Sequence, residues 1–270
     1  MDLDTAVATV ARAALAEIVY LEPSGRIGMA PVTPLLIGNV PCVALPMDRR
    51  PLAESLAAAP SVALVLSDSR LALKGWSPLV VTGRAEVTAD PTGEIFTTEL
   101  LEQELSKYPP ARRLIDSPLL RRENWWYLPR MVVRVTHVSE AHEVGRREPG
   151  RHGLLAWEHA GRLDADTVAV TDWDAASIAV SSAPFSGARF PRGRASAALF
   201  SADFSIPDLD RRAELHVTGV LEDGLFTVTE RSGSLQLGAP PGVLARLRAQ
   251  RALERACKAG LEAVESGAHV

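Results

Sequence analysis

Short apolar runs, some alternating with polar residues and some continuous, are punctuated along most of this chain by Gly, Pro and Asp, which predicts many short strands with a few peripheral helices. Asp4 is placed to cap a helix from Thr5 to Glu17, with Val7, Val10, Ala11 and Leu15 on one face. From Glu17 to Leu21 the run turns aromatic and β-branched, Glu22-Pro23-Ser24-Gly25 supplies turn chemistry, and Ile27 to Ile37 forms the second arm of a hairpin. Gly38-Asn39 then turns into Val40 to Leu45, giving an antiparallel meander. Pro31 and Pro34 cannot donate to a ladder, so their strand is expected at an edge or a bulge. Pro51 opens a short helix over Leu52 to Ala59 that Pro60 ends. Strands are predicted at Val62 to Leu66, Pro78 to Thr88 and Met131 to Val138. An amphipathic helix from Thr92 to Tyr108, with Ile95, Phe96, Leu100, Leu101 and Leu105 inward, lies between the last two.

Gly145 to Gly150 is polar and broken by Gly and Pro, and marks a linker between units at 1–145 and 151–270. Beyond it, strands are predicted near Thr167 to Val170, Ser177 to Ser181, Ala195 to Phe200, Ala213 to Leu221 and Leu225 to Thr229, with Glu222-Asp223-Gly224 turning the last pair. A final helix from Pro241 to Ser266 offers Leu244, Leu247, Ala256, Leu261 and Val264 for burial, with Gly260 as a weak point. The two halves echo each other. Gly25-Arg26 recurs as Gly161-Arg162 and Val81-Thr82-Gly83 as Val217-Thr218-Gly219, both 136 residues on, and Ala63 to Ser67 is answered by Ala197 to Ser201. A repeat this long indicates two similar β-rich units and not a solenoid.

Two cores of ordinary size fit within 270 residues. The net charge of −4 and the shortness of the basic runs argue against a phosphate-neutralising nucleic-acid surface. No stretch approaches the ~20 apolar residues of a membrane span, and Asp2 and Asp4 stand where a secretory signal carries positive charge. A cytoplasmic protein is expected. The predominance of Arg over Lys, together with abundant Ala, points to a GC-rich bacterial genome. Cys42 and Cys257 have no metal or redox spacing and read as buried hydrophobes. His137, His142, His152 and His159 cluster around the linker without a zinc signature, so no metal site is expected. No catalytic triad or phosphate loop is legible, and no catalytic residue is assigned.

The succession of the Ser24-Gly25-Arg26 turn, the Ala30-Pro31-Val32-Thr33-Pro34 strand, the Pro51 to Val65 helix and strand, and above all Val81-Thr82-Gly83-Arg84-Ala85-Glu86-Val87 before Asp90-Pro91 resembles the pyridoxamine 5′-phosphate oxidase-like split barrels. The resemblance covers most of Ala14 to Val138. It implies small antiparallel barrels, mainly β with peripheral helices, that bind FMN, deazaflavin F420 or haem in a groove between paired barrels. A tandem duplication would make the chain a pseudo-dimer, and a homodimer is the other arrangement.

On that resemblance Arg49 and Arg50, directly before the helix at Pro51, stand where a cofactor phosphate is held; otherwise they are a solvated pair opposing the helix dipole. Pro31, Val32 and Thr33 would face the ring. Ser67 and Trp76 would line the groove mouth, unless Ser67-Asp68-Ser69 is only a turn, and Trp125 would exclude water, unless Trp125-Trp126-Tyr127 closes a barrel end. Arg189, Arg192 and Arg194 hold the matching place in the second half, for a second phosphate or a solvated loop. Val43 to Met47 lacks polar side chains, which leaves only backbone groups there to read a flavin edge. The function implied is a flavin- or F420-dependent oxidoreductase moving hydride to a small substrate. The alternative is a haem-binding or non-catalytic protein with a degenerate groove.

Overall fold

The computed structural model describes residues 3–108, 110–112, 125–183, 190–191 and 193–267. The fold is α+β, with two antiparallel barrel-like units in tandem. The first unit comprises α1 (Leu3–Arg12), β1 (Ala16–Leu21), β2 (Ile27–Val32), β3 (Leu35–Ile37), β4 (Val40–Pro46), α2 (Arg50–Ala58), β5 (Val62–Leu66), β6 (Leu79–Asp90), α3 (Leu101–Lys107) and β7 (Arg130–Glu143). Its seven strands run in the order β2-β1-β5-β6-β7-β4-β3. The second unit comprises β8 (His152–His159), β9 (Arg162–Val170), β10 (Ser177–Ser182), β11 (Ala195–Phe204), β12 (Arg212–Glu222) and β13 (Leu225–Gly233), closed as β10-β13-β12-β11-β8-β9.

Both units therefore contain the same run of neighbours, β2-β1-β5-β6-β7 in the first and β9-β8-β11-β12-β13 in the second. The sequence echoes fall on matching features. Gly25 and Gly161, at φ +83° and +78°, turn the first hairpin of each unit, a conformation that glycine reaches without a Cβ penalty. Gly83 and Gly219 sit where β6 and β12 change register against the next strand. A Cβ at either would overlap a carbonyl of that strand, Thr136 or Thr227. These are bulges, and they bend the sheet toward closure.

Pro31 and Pro34 act as their chemistry requires. β2 and β3 are the two edges of the first sheet, and the expected Ile27 to Ile37 strand is broken between them. Lys107 spans that break, its Nζ donating to the carbonyls of Pro34 and Val10 at 2.7 Å each, and burial lowers its pKa to about 8. The first expected helix ends at Arg12, so Leu15 packs on the sheet instead. The second amphipathic helix contains a π-turn at Phe96–Leu100, with buried Asp90 accepting from the N–H groups of Glu94 and Phe96 at its start. Strand β8, which had no counterpart in the sequence expectations, directly follows the linker.

Between the units lies an apolar core. Val19, Leu21, Met29, Val65 and Val80 of the first meet Leu154, Ala156, Ala198 and Phe200 of the second. The C-terminal helix α4 (Val243–Gly267) crosses back to the first unit and rests on the 3-10 turn Met47–Arg49, so it is no part of the second barrel's core. Its burial follows expectation at Leu261 and Val264 and departs from it elsewhere. Leu244, Leu247 and Ala256 are exposed, and Cys257 with partly buried Leu253, Leu261 and Val264 makes the contact. Gly260 is the point of closest approach, because a Cβ there would overlap the Met47 carbonyl.

Burial raises the thiols of Cys42 and Cys257 to about 12 and about 11. Both are expected to react slowly with a thiol reagent at pH 8. Gly260→Val, by lifting α4 off Met47, should make one thiol fast, and a second substitution, Cys257→Ser, should remove that fast phase. Rapid reaction of the unaltered native protein would contradict this packing.

Candidate functional site

Two concavities flank the interdomain core. The one of about 300 Å³ lies between the β1–β2 hairpin and the β12–β13 hairpin, lined on one side by Tyr20, Glu22, Arg26, Gly28 and Met29 and on the other by His216, Thr218, Glu230 and Ser232. Tyr20 can lie across the sheet here because Gly28 leaves room for its ring; any Cβ at that position would overlap it. Tyr20 is half-buried, and burial raises its phenol above the ordinary range.

The charges on this groove are organised across the two units. Arg26 bonds Glu22 at 3.2 Å and lies in the field of Glu230, which pairs with Thr218 in the ladder. On the far side of the molecule Arg162 bonds Glu140 at 2.8 Å, and Glu140 pairs with Thr82. The arginine after each echoed glycine thus addresses the glutamate beside the echoed threonine of the other unit, which is the reciprocity expected of an approximate two-fold axis.

Nearby, β12 carries Arg212, Glu214 and His216 on one face by strand alternation. His216 stacks on Phe200 with ring centres 4.7 Å apart, and its Nε2 lies 3.2 Å from Glu214 Oε2. Glu214 also pairs with Arg212. Burial pushes the Glu214 carboxyl up, but the His216 bond and the Arg212 and Arg49 charges outweigh it and hold the pKa below the usual value. Arg49 approaches from the first unit, its Nη1 donating to the Pro31 carbonyl at 3.2 Å. Burial and then the neighbouring Arg212 charge lower its pKa, so two guanidinium groups share this corner with Glu214. Because Pro31 turns its carbonyl outward, strand alternation puts the backbone of Met29 on the same free edge.

The sequence candidates separate into three places. Arg49 and Pro31 meet beside this groove, with Val32 and Thr33 half-buried next in the chain. Arg50 is tied to Glu54 one turn along α2. Ser67 and Trp76 lie near the second concavity, about 400 Å³, which the linker crosses with Glu143, Arg146, Glu148 and His152 on its wall. Arg146 covers the Trp76 ring at 5.5 Å, and Ser67 is fully buried with its carbonyl accepting from Arg147 N–H. Trp125 is 61% exposed on the outer surface. Of the second-half arginines, Arg194 is exposed, and Arg189 and Arg192 fall outside the described residues.

Sequence reading missed Arg212, Glu214, His216 and Tyr20. The repeat itself held the signal: at the same offset of 136, His216 answers Val80, Glu214 answers Pro78 and Arg212 answers Trp76, so a polar triplet replaces an apolar one. Among the described residues no group of His, Cys, Asp and Glu is arranged to hold a metal ion, and no helix is long and apolar enough to cross a membrane.

The chain, a pair of antiparallel barrel-like units beside a groove, is similar to several solved structures, each at low identity. A haem-binding protein from Mycobacterium smegmatis is 15% identical, matching over 95% of this chain and 97% of that one, with a TM-score of 0.35. A structure described as an F420 reductase is 18% identical over 50% of this chain and 94% of its own, TM-score 0.35. A protein of the pyridoxine phosphate oxidase family from Clostridium acetobutylicum is 10% identical over 61% and 95%, TM-score 0.33. No family model and no curated protein matches the chain.

Proposed function

We propose that this chain is a flavin- or deazaflavin (F420)-dependent oxidoreductase that holds one cofactor in the groove between its two units and passes hydride to a small substrate. The observation that carries the reading is the convergence of Arg49 and Arg212, from different units, beside the groove. A partly buried Arg49 and an exposed Arg212 with a single shared carboxylate leave positive charge that a phosphate would neutralise. The fit extends beyond charge: the free backbone edge at Met29 can read a ring rim, and the Tyr20 ring offers a flat apolar wall. When bound, such a cofactor supplies the hydride chemistry itself. The chain's part is to hold the anionic tail, orient the ring and limit water. Because the second unit supplies the opposite wall, the groove needs no second copy.

A rival has one observation of its own. Helix α4 rests on Met47 beside Arg49, and Arg50 is already paired, so the start of α2 is less open than a phosphate site needs. That favours a haem-binding or non-catalytic groove.

Titration of the purified protein with FMN, F420 and haemin separates these. Micromolar binding of FMN or F420 at one equivalent per chain, weakened about tenfold by Arg49→Ala and again by Arg212→Ala (roughly 1.4 kcal/mol each), is the expected result. Failure of both flavins to bind ends the redox reading, and haemin binding alone moves the assignment to the rival.

A further inference from the structure

Resting on that reading, we propose that His216 is the proton donor of the reaction, positioned by Glu214. The substrate class is then a small molecule with a polarised double bond, such as a C=C conjugated to a carbonyl. The inference begins from an asymmetry. The two units share topology, bulges and reciprocal Arg–Glu contacts, yet at the repeat offset His216 of β12 answers Val80 of β6, and Arg212 and Glu214 lie on β12 where Trp76 and Pro78 precede β6. Val80 is fully buried in the interdomain core, whereas the His216 side chain is 35% exposed on a groove wall. A structural role in the interface is met by valine. A histidine bonded to a carboxylate is not needed for it.

The hydrogen-bond chemistry fixes the roles of the two nitrogens. An ionised Glu214 only accepts, so Nε2 of His216 carries the hydrogen toward Oε2, and Nδ1 is left as the position that gains or loses a proton. The charged and titratable groups around the ring are Glu214 and Arg212 on its own strand, Arg49 from the 3-10 turn, the neutral phenol of Tyr20 on β1, the Arg26–Glu22 pair, and Glu230 on β13. Glu214 is the one bonded to the imidazole, so it balances the imidazolium.

Reduction of a conjugated C=C then closes in atoms and charge. A reduced flavin or deazaflavin held in the groove would supply the hydride for the substrate's β-carbon; as the π pair moves onto the carbonyl system, Nδ1 of the imidazolium gives its proton to the α-carbon or oxygen and leaves a neutral imidazole. Solvent reprotonates the partly exposed ring. A substrate that accepts electrons without a proton would have no use for this pair.

The test uses whichever cofactor the full chain binds and 2-cyclohexen-1-one as the probe. Three proteins are compared: the unaltered chain, His216→Gln and Glu214→Gln. His216→Gln should leave cofactor affinity within about twofold and slow single-turnover enone reduction by about a hundredfold or more. Added imidazole should restore part of the rate. Glu214→Gln should slow the same step about tenfold with His216 still in place. In the cofactor-free proteins the nitrogen NMR signals of the His216 ring should show the hydrogen held at Nε2 in the unaltered chain and that preference lost in Glu214→Gln. Tight cofactor binding with an unchanged single-turnover rate in His216→Gln would overturn the proton-donor role. Absence of enone reduction by the loaded, unaltered protein would overturn the substrate class. Absence of cofactor binding would instead sink the underlying redox reading, and the NMR comparison would still decide whether Glu214 acts on His216.

Discussion

Replacing Arg147 by Met is expected to cost about 3–5 kcal/mol of stability, because it strands a buried carboxylate at the seam between the units. Arg147 lies in the linker and is 2% exposed; its guanidinium bonds Glu17 of β1, itself fully enclosed, and lies 3.8 Å from Asp68. Arg70 bonds Asp68 at 2.7 Å and reaches Asp203 of the second unit at 2.5 Å. Asp68 therefore keeps a partner in the variant, but Glu17 loses its nearest cation. Burial already raises the Glu17 pKa above its ordinary value, an effect that Arg147 only partly offsets. The direction with pH follows from that sign. A carboxyl whose folded pKa is raised favours the protonated native state, so its ionisation cost is fully present above the folded pKa and is relieved as pH falls toward the unfolded value near 4.5. Without Arg147 the folded value rises further. The deficit of Arg147→Met should thus be largest at neutral pH and shrink on acidification, and Arg147→Met with Glu17→Gln should recover most of it. Denaturant unfolding midpoints at several pH values measure this; a single variant within about 1 kcal/mol of the parent at pH 7 would show that water, and not Arg147, carries the Glu17 charge.

That network also shows where sequence reading stops. Alternation located most strands, and Pro31 and Pro34 foretold that their strand lies at an edge or a bulge, because both signals are local and depend only on backbone hydrogen-bonding capacity. The echo at 136 residues was legible for the same reason: Gly25, Gly83, Gly161 and Gly219 each meet a backbone demand that few other residues can. What stayed hidden depends on contacts between distant segments. Glu17 and Arg147 are 130 residues apart, and nothing near either one marks it as buried. Leu244 and Leu247 have helical spacing, yet α4 docks through Cys257 and Gly260 because the 3-10 turn at Met47 admits only a helix face without bulk. Arg49 was visible as a basic residue before a helix. Its approach to Arg212 depends on how the two units pack, which periodicity does not encode. His216 lies outside the cluster of histidines around the linker and carries no local mark; only the repeat register sets it apart, as a departure from Val80.

Arg130→Met should be the other severe lesion, and it would act at the opposite end of the first unit. Arg130 is fully buried, with its guanidinium 3.9 Å from the Phe96 ring centre and 4.0 Å from that of Tyr127. Its Nη2 lies 3.4 Å from Glu104 Oε1, which also accepts from the Tyr127 hydroxyl at 2.8 Å. The sandwich joins three segments: the π-turn through Phe96, α3 through Glu104, and the 3-10 turn Trp125–Tyr127 through Tyr127. Methionine fills much of the space, so the loss is of charge and not of volume. Two desolvated cation–π contacts disappear, and Glu104 keeps only a phenol as partner, so a cost of about 3–5 kcal/mol is expected. Lysine should not rescue it, since a point charge on a flexible stem cannot stack flat between two rings. Glu104→Gln combined with Arg130→Met should recover part of the loss by removing the stranded charge. The damage should also spread to α4, which contacts the turn Trp125–Tyr127, and hydrogen exchange should therefore accelerate in 94–107 and 243–267 together. Acceleration confined to 94–107 would mean that α4 is held by Met47 alone, and full stability of Arg130→Lys would show that the rings need a cation there but not a planar one.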